Sequence, residues 1–306
     1  MQFLSRALLI AMVAVLAVAL PAHAAIYWDG GGVDNNFNTP ENWDTDTVPG
    51  SEDPAYVDNG GTVLVNGQHT VSKFYLGVAG SSAGYAQITT GAEMNTVHHY
   101  VGYGEYARAG VELTGGTINM TGNFLIGQLT SAFGAFHQSG GFVNQAPTSS
   151  TAYWTRLASS ISSYGYYDLS GGTFQTSGII AGGNDDGAGI VNQTGGAVTI
   201  TSAAMTDGGL RIGHAGAGLG VYNLAGGTCT VNRFFVSIGG NSARGPSGQL
   251  NVGGTGQFTI VAQEGDAGYL RVGYNNPSHG NVNLATGGVL TVPWIQSGDG
   301  VTSTTA

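Results

Sequence analysis

Residues 210–213 read LRIG, and residues 221–231 read VYNLAGGTCTV. Together they contain three short apolar segments separated by glycine, and the same three-part pattern recurs along most of the chain. Alternating apolar and polar residues predict strands, because successive side chains of a strand point to opposite faces. The glycines predict tight corners between these strands. The pattern therefore specifies an architecture, but it does not specify a reaction.

Each unit of the repeat can be followed through one anchor residue, three places before the first glycine of its Gly-Gly pair. Successive anchors are 24 to 32 residues apart, with a mean spacing of 28. Because most of their neighbours are apolar, we expect the anchors to face outward and the neighbours inward. Gln138 and Gln193 are inward-facing exceptions. The anchors are Gln87, Glu112, His137, Asp168, Asn192, Asn223, Asn251 and Asn283.

This period predicts one coil of a parallel β-solenoid, since a propeller blade needs about 40 residues or more. We expect an all-β fold: a single-stranded, right-handed parallel β-helix of about eight three-strand coils over residues 71–295. Residues 25–70 are predicted to form an N-terminal cap, and residues 296–306 a flexible tail. A single coil cannot bury its apolar face alone, so the coils must stack.

The first 24 residues have the features of a secretory signal peptide. Arg6 precedes an apolar run over 7–20, and residues 22–24 read AHA, an Ala-x-Ala cleavage site. The alternative is an uncleaved anchor, but the run is shorter than the roughly 20 residues of a membrane span. We therefore expect a secreted or cell-surface protein with no membrane span in its mature chain.

The composition excludes several classes of partner and chemistry. The formal net charge is −10, with only eight Lys and Arg residues, which argues against nucleic acid and weakens any polyanionic substrate. Cys229 is the single cysteine, so no internal disulfide can form. Its place in an apolar column predicts a buried packing residue.

Eight of the 18 acidic residues fall between Asp29 and Asp58. We interpret this stretch as the cap, with acidic loops and two tryptophans covering the end of the first coil. The alternative is a calcium site, because hard cations prefer several oxygen ligands. Its candidate ligands are Asp29, Asp34, Asp44 and Asp46.

Several short motifs resemble those of a known class of proteins. Residues 27–31 read YWDGG, 42–43 NW, 48–49 VP and 53–55 DPA, and repeated Leu/Ile-Gly, Asn-Leu and Gly-Gly-Thr units follow. This arrangement resembles large secreted bacterial surface proteins, the autotransporter passenger-like proteins with autotransporter-associated β-strand repeats. The resemblance implies a right-handed β-helix outside the cell or on its surface, with no assigned catalytic residues. The chain is then either a fragment of a longer protein or secreted free.

The strongest candidate catalytic cluster is Glu112, His137 and Asp168, which the repeat places on one outward column in three consecutive coils. An imidazole between two carboxylates suits acid–base chemistry or metal binding. The alternative is a polar ladder continuous with the other anchors. Asp185 and Asp186 form a second acidic pair, a candidate for metal or catalysis, although Asn-Asp-Gly runs are also ordinary turn chemistry.

We expect a secreted or cell-surface structural or adhesive scaffold without catalysis. The rival hypothesis is a carbohydrate-active enzyme or carbohydrate-binding protein that acts on extracellular polysaccharide. The expected partners are extracellular polysaccharide or cell-surface components, and the C-terminal end is predicted to associate end to end. Calcium is the one cofactor considered. The candidates for stacking on sugar rings, or else for covering a sheet face, are Tyr75, Tyr100, Tyr103 and Tyr106.

Overall fold

The computed structural model describes residues 24–146, 153–183, 185–201, 209–232, 235–240, 244–262, 268–273 and 277–298. Over these ranges the chain winds as a parallel β-solenoid with three ladders of strands, which confirms the predicted all-β parallel fold. The right-handed sense of winding remains a prediction. No helix in these ranges has the length and hydropathy of a membrane span. The signal peptide and residues 299–306 of the predicted tail lie outside the described residues.

Every strand belongs to one of three ladders. The first ladder contains Ile26–Tyr27, Pro54–Val57, the ends of Gln68–Leu76 and Glu93–Val101, Phe124–Ile126, Thr155–Leu157, Ile179–Ala181, Leu210–Ile212, Phe235–Ile238, Tyr269–Val272 and Ile295–Ser297. The second contains Asn59–Val65, Ala83–Ile88, Arg108–Leu113, Phe133–Gln138, Tyr164–Leu169, Ala188–Gln193, Leu219–Leu224, Ser247–Val252 and His279–Leu284. The third contains the starts of Gln68–Leu76 and Glu93–Val101, then Thr117–Met120, Phe142–Gln145, Thr173–Thr176, Ala197–Ile200, Thr228–Asn232, Gln257–Val261 and Val289–Thr291.

The eight anchors stack in register along the second ladder, as predicted. Within the described residues this ladder has nine strands, one more than the number of anchors. The additional strand places Leu64 below Gln87. An anchor search missed this coil because Leu64 is apolar and no Gly-Gly pair follows it. Parallel pairing therefore begins inside the range predicted as the cap, with Ile26–Tyr27 on Pro54–Val57 and Asn59–Val65 on Ala83–Ile88.

The inward columns of the three ladders form one continuous core. In the third ladder, Val198, Cys229 and Phe258 lie above one another, and each is at most 2% exposed. Burial raises the pKa of the Cys229 thiol to about 12. Cys229 is therefore a packing residue, as the sequence predicted.

Residues 26–43 cover the N-terminal end of this core. Trp28 and Trp43 are buried, and the Trp43 indole Nε1 donates to the carbonyl of Phe37 at 2.9 Å. Phe37 packs on His69 of the next coil, with ring centroids 4.2 Å apart. The Phe37 amide also bonds the carbonyl of Leu64, so the first strand of the second ladder has a partner on its outer edge.

Tyrosines of the next coil satisfy the two inward-facing glutamines. The Tyr167 hydroxyl donates to Gln138 Oε1 at 2.6 Å, and the Tyr222 hydroxyl donates to Gln193 Oε1 at 2.8 Å. Each glutamine Nε2 donates to two backbone carbonyls. All four side chains are at most 1% exposed, so these hydrogen bonds offset the cost of burying an amide.

A left-handed residue follows each first-ladder strand from Gln68–Leu76 to Tyr269–Val272 and begins the corner. At Gly213, φ is +67°, and a Cβ there would collide with the carbonyl oxygen of Ser247 in the next coil. Ala158 holds the same position with φ +58° and is the one residue with a side chain in this column. The other members are Gly77, Gly102, Gly127, Gly182, Gly239 and Gly273.

Gly213→Ala and Ala158→Gly should have contrasting effects on stability. We expect Gly213→Ala to lower the free energy of unfolding by about 2 kcal/mol or more, because it adds a left-handed penalty and a backbone collision. We expect Ala158→Gly to change it by less than about 1 kcal/mol, because the relieved strain offsets the entropy of the added glycine. Urea unfolding of both variants measures the difference. Equal losses would contradict this role of the corner.

His99 is a histidine in the hydrophobic core. It is fully buried in the inward column of the first ladder, with Phe74 below and Phe124 above, and neither ring nitrogen has a hydrogen-bond partner. Burial lowers the pKa of His99 from 6.5 to about 3. The folded protein therefore keeps this imidazole neutral.

This buried imidazole should make the fold sensitive to acid. An unfolded histidine binds a proton near pH 6.5, whereas folded His99 binds one only near pH 3. Above about pH 6.5 this titration therefore leaves the free energy of unfolding unchanged. As the pH falls from about 6.5 toward 3, it lowers the free energy of unfolding by about 1.4 kcal/mol per pH unit. We expect His99→Phe, which matches its column neighbours, to remove this part of the dependence. The test measures the free energy of unfolding of both proteins at pH 7.5, 6 and 5. The same change with pH in both proteins would contradict this expectation.

Candidate functional site

The outward anchor column of the second ladder is a ladder of polar side chains. In its upper part, Asn251 Nδ2 donates to Asn223 Oδ1 at 2.6 Å, and Asn283 Nδ2 donates to Asn251 Oδ1 at 2.7 Å. In its lower part, Gln87 Nε2 donates to Glu112 Oε2 at 3.4 Å. Most of the column is therefore a polar ladder, which was the alternative to a catalytic cluster.

The structure brings Glu112, His137 and Asp168 into neighbouring strands, but it bonds only two of them to each other. His137 Nδ1 lies 2.6 Å from Asp168 Oδ2. Since a carboxylate accepts, we assign the proton to Nδ1. Asp168 Oδ1 also accepts from Asn192 Nδ2 at 2.7 Å and from the Tyr166 hydroxyl at 3.4 Å. No hydrogen bond between described atoms joins Glu112 to His137, and the His137 side chain is 45% exposed.

A notch of about 370 Å³ is lined on one side by Glu112 and His137. Two residues before the anchors, a second outward column runs Tyr85, Gly110, Ala135 and Tyr166. Two small residues thus separate two tyrosines over three coil spacings, about 14 Å. A Cβ at Gly110 would lie 3.2 Å from the Tyr85 ring, so this ring leans over the glycine. We call this feature the tyrosine notch; its floor is Gly110 and Ala135.

The next outward column beside the tyrosine notch is partly aromatic. Four residues before the anchors, Arg108, Phe133 and Tyr164 occupy successive coils. The Phe133 and Tyr164 rings stack with centroids 5.1 Å apart and an interplanar angle of 7°. Phe133 is 42% exposed, as is Tyr85. The notch therefore combines exposed ring faces with polar groups on one side, the surface that a hydroxylated ligand with apolar faces requires.

This arrangement suits binding better than hydrolysis. Glu112 and Asp168 are two coils apart, about 9.6 Å along the solenoid, near the upper limit for a pair of inverting carboxyl groups. Such a pair needs room for a water and the scissile bond between its members. Here the His137 imidazole stands between the two anchors, and Asp168 already accepts hydrogen bonds from its neighbours. Glu112 and His137 remain exposed enough to bond ligand hydroxyls.

The four tyrosines singled out in the sequence divide into two groups. Tyr75 and Tyr100 are each 8% exposed and stack on one another at 4.6 Å, while Tyr103 packs against both rings. Burial raises the pKa of Tyr100 to about 12. These three rings cover the first ladder, and Tyr106 alone is well exposed, at 56%.

The predicted calcium ligands are not gathered into one site. Asp34 accepts from Thr39 Oγ1 at 2.7 Å and from the Asn36 amide at 3.0 Å, and these bonds lower its pKa. Asp29 accepts from the amide of Gly31, Asp44 accepts from that of Tyr27, and Asp46 sits in a turn with φ +49°. Across the described ranges, no group of three or more His, Cys, Asp or Glu residues is arranged to hold a metal.

Asp185 and Asp186 occupy a corner turn, both with positive φ. Asp185 Oδ1 pairs with Arg244 Nη1 at 2.9 Å, with both side chains well exposed. The structure therefore gives Asp185 a role in an ion pair across coils and places Asp186 in the turn.

Comparison of the chain with protein-family models, with curated proteins and with solved structures gave no match. We therefore infer its function from the geometry described above.

The repeat pattern predicted the polar side of the site but not the tyrosine notch. The signal was present two residues before each anchor, where Tyr85, Gly110, Ala135 and Tyr166 follow one another. Side chains at this spacing share a face with the anchors. The notch becomes evident only when that column is read across coils as well as along each strand.

Proposed function

We propose that this protein is an extracellular β-solenoid scaffold that binds polysaccharide through the tyrosine notch, without turning it over. The observation that carries the proposal is the coincidence of two irregularities in the same coils. The anchor column carries Glu112 and His137 instead of amides in the two coils where the neighbouring column loses its bulk at Gly110 and Ala135.

A regular solenoid needs no such change, because stacking alone is served by the asparagine ladder of the later coils. Local departures from a repeat that stabilises the fold are expected at functional sites. Exposed tyrosine faces with adjacent hydrogen-bonding groups suit a sugar ring, which has apolar faces and a hydroxylated edge. The two tyrosines, about 14 Å apart, match a short stretch of a linear chain better than one small molecule.

The cellular location is part of the same proposal. The Arg6-containing n-region, the apolar run and the AHA motif at 22–24 support export. The autotransporter-like motifs support a place on the cell surface or outside the cell. An adhesive or structural role there is consistent with a rigid rod that presents one binding face.

Affinity electrophoresis and calorimetry with a panel of neutral polysaccharides test the proposal. We expect Tyr85→Ala and Tyr166→Ala each to weaken binding about tenfold, since covering roughly 60 Å² of ring is worth ~1.5 kcal/mol. Gly110→Val should weaken it too, by filling the floor while both rings remain.

The matched control is Tyr106→Ala, an exposed tyrosine outside the notch, which should bind as the unmodified protein does. Loss of binding in this control but not in the notch variants would overturn the assignment. Release of reducing ends that Asp168→Asn abolishes would favour the alternative, a carbohydrate-active enzyme.

We also propose end-to-end self-association at the C-terminal end. Leu284 and Ile295 are 49% and 48% exposed, although the residues below them in the same inward columns, Val252 and Leu270, are at most 1% exposed. Within the described residues the last strands pair on one side only, and half-exposed core residues beside such an edge favour addition of another strand. Light scattering should show mass rising with concentration, and Leu284→Lys should reduce it. A monomer at all concentrations would contradict the proposal.

A further inference from the structure

A second cavity, of about 230 Å³, lies at the corner that follows the first ladder. Ser159, Gly183 and His214 occupy the same corner position in three successive coils, each two residues after a first-ladder strand. Backbone bonds stack them: the Gly183 amide donates to Ala158, and the His214 amide donates to Gly182. Gly183 has no side chain, so space remains between Ser159 and His214. We call this space the corner cavity.

Arg156 contributes a guanidinium to the corner cavity. It points outward between Leu125 and Ile180, which are 8% and 4% exposed, so apolar side chains flank it on both sides. Its Nε is buried without a hydrogen-bond partner, and within the described residues no ion pair or hydrogen bond holds this side chain. Burial lowers the pKa of Arg156, but an arginine in a protein stays protonated. The result is a half-buried positive charge without a counter-charge.

Ser159 supplies a second unsatisfied group on the same cavity wall. The residue is 7% exposed, and its Oγ has no hydrogen-bond partner. Buried polar groups in folded proteins are nearly always paired, because an unpaired one keeps its full desolvation cost. Two such groups on one cavity wall, one cationic and one a hydroxyl donor, indicate a missing acceptor.

A second cation, Arg211, lies one coil above Ile180 on the same outward column. Arg211 Nη1 lies 2.9 Å from His214 Nε2, and the Arg211 guanidinium stacks over the Trp154 ring at 5.2 Å. A guanidinium can only donate, so the contacted nitrogen of His214 is an acceptor. Asp185, in the turn after Gly183, pairs with Arg244, and no carboxylate within the described residues forms an ion pair with Arg156.

We propose that the corner cavity binds an oxyanion, a carboxylate or sulfate group, with Arg156 as its ionic partner and Ser159 as a hydrogen-bond donor. A guanidinium matches the planar oxygens of such a group, and charge-assisted bonds of this kind are strong. The small volume admits one such group or the sugar that carries it. Because the whole chain carries a net charge of −10, the attraction is local to this corner. The site lies on a different column from the tyrosine notch and does not depend on neutral-polysaccharide binding there.

Calorimetry of the full mature protein with sodium sulfate, sodium glucuronate and glucose tests the proposal. We expect sulfate or glucuronate to bind and glucose not to bind. Arg156→Gln should weaken anion binding about tenfold or more, and Ser159→Ala should weaken it less. Binding of glucuronate alone would identify a sugar acid as the source of the group, and binding of sulfate alone an inorganic one. Both outcomes support an oxyanion site.

The matched control is Arg271→Gln. Arg271 lies on the same outward column, two coils beyond Arg211, and donates to Gln296 at 3.0 Å. The Arg271→Gln substitution removes the same charge at a distance from the cavity, so anion binding should be unchanged. Equal weakening in the Arg156 and Arg271 variants, or no binding of either anion to the unmodified protein, would overturn the proposal. Thermal unfolding of each variant checks that the fold persists.

Discussion

The structure depends on in-register stacking of one coil on the next. Strands inside a ladder pair with the strands one coil below and above, so a strand residue lies over its counterpart, as Gln87, Glu112, His137 and Asp168 do in turn. Backbone hydrogen bonds set the coil spacing, and the inward columns bury what a lone coil would expose. The register is strict because a one-residue slip would turn every inward side chain outward.

The same constraint explains how this fold tolerates polar groups in its core. Gln138 and Gln193 are acceptable because the next coil brings Tyr167 and Tyr222 to the required place. His99 lacks such a partner and stays neutral among phenylalanines. The two cases differ in consequence: a satisfied amide fixes the register at little cost, whereas a buried imidazole makes stability depend on pH.

Both proposed binding sites arise where a column loses a side chain. The tyrosine notch forms over Gly110 and Ala135, and the corner cavity forms over Gly183. A solenoid can form a concavity in this way with little loss of stability, because removing one side chain leaves the hydrogen bonds of the ladder intact. The flanking coils then supply the walls: tyrosines in one site, and Arg156 with Ser159 in the other.

The amino-acid sequence was enough to predict the period, the three strands, the face to which strand side chains point and the stacking of the anchors, because alternation and glycine spacing are local properties of the chain. It also placed Cys229 in the core. It did not reveal the first coil, where Leu64 replaces a polar anchor, nor the partners of the buried glutamines, which lie 29 residues further along the chain. Packing of the folded coils on one another decided that Asp168 bonds to His137 and that Glu112 stays apart from it. It also decided that Arg156 and Ser159 share a cavity. These features depend on side-chain orientation between coils, which the repeat pattern does not encode.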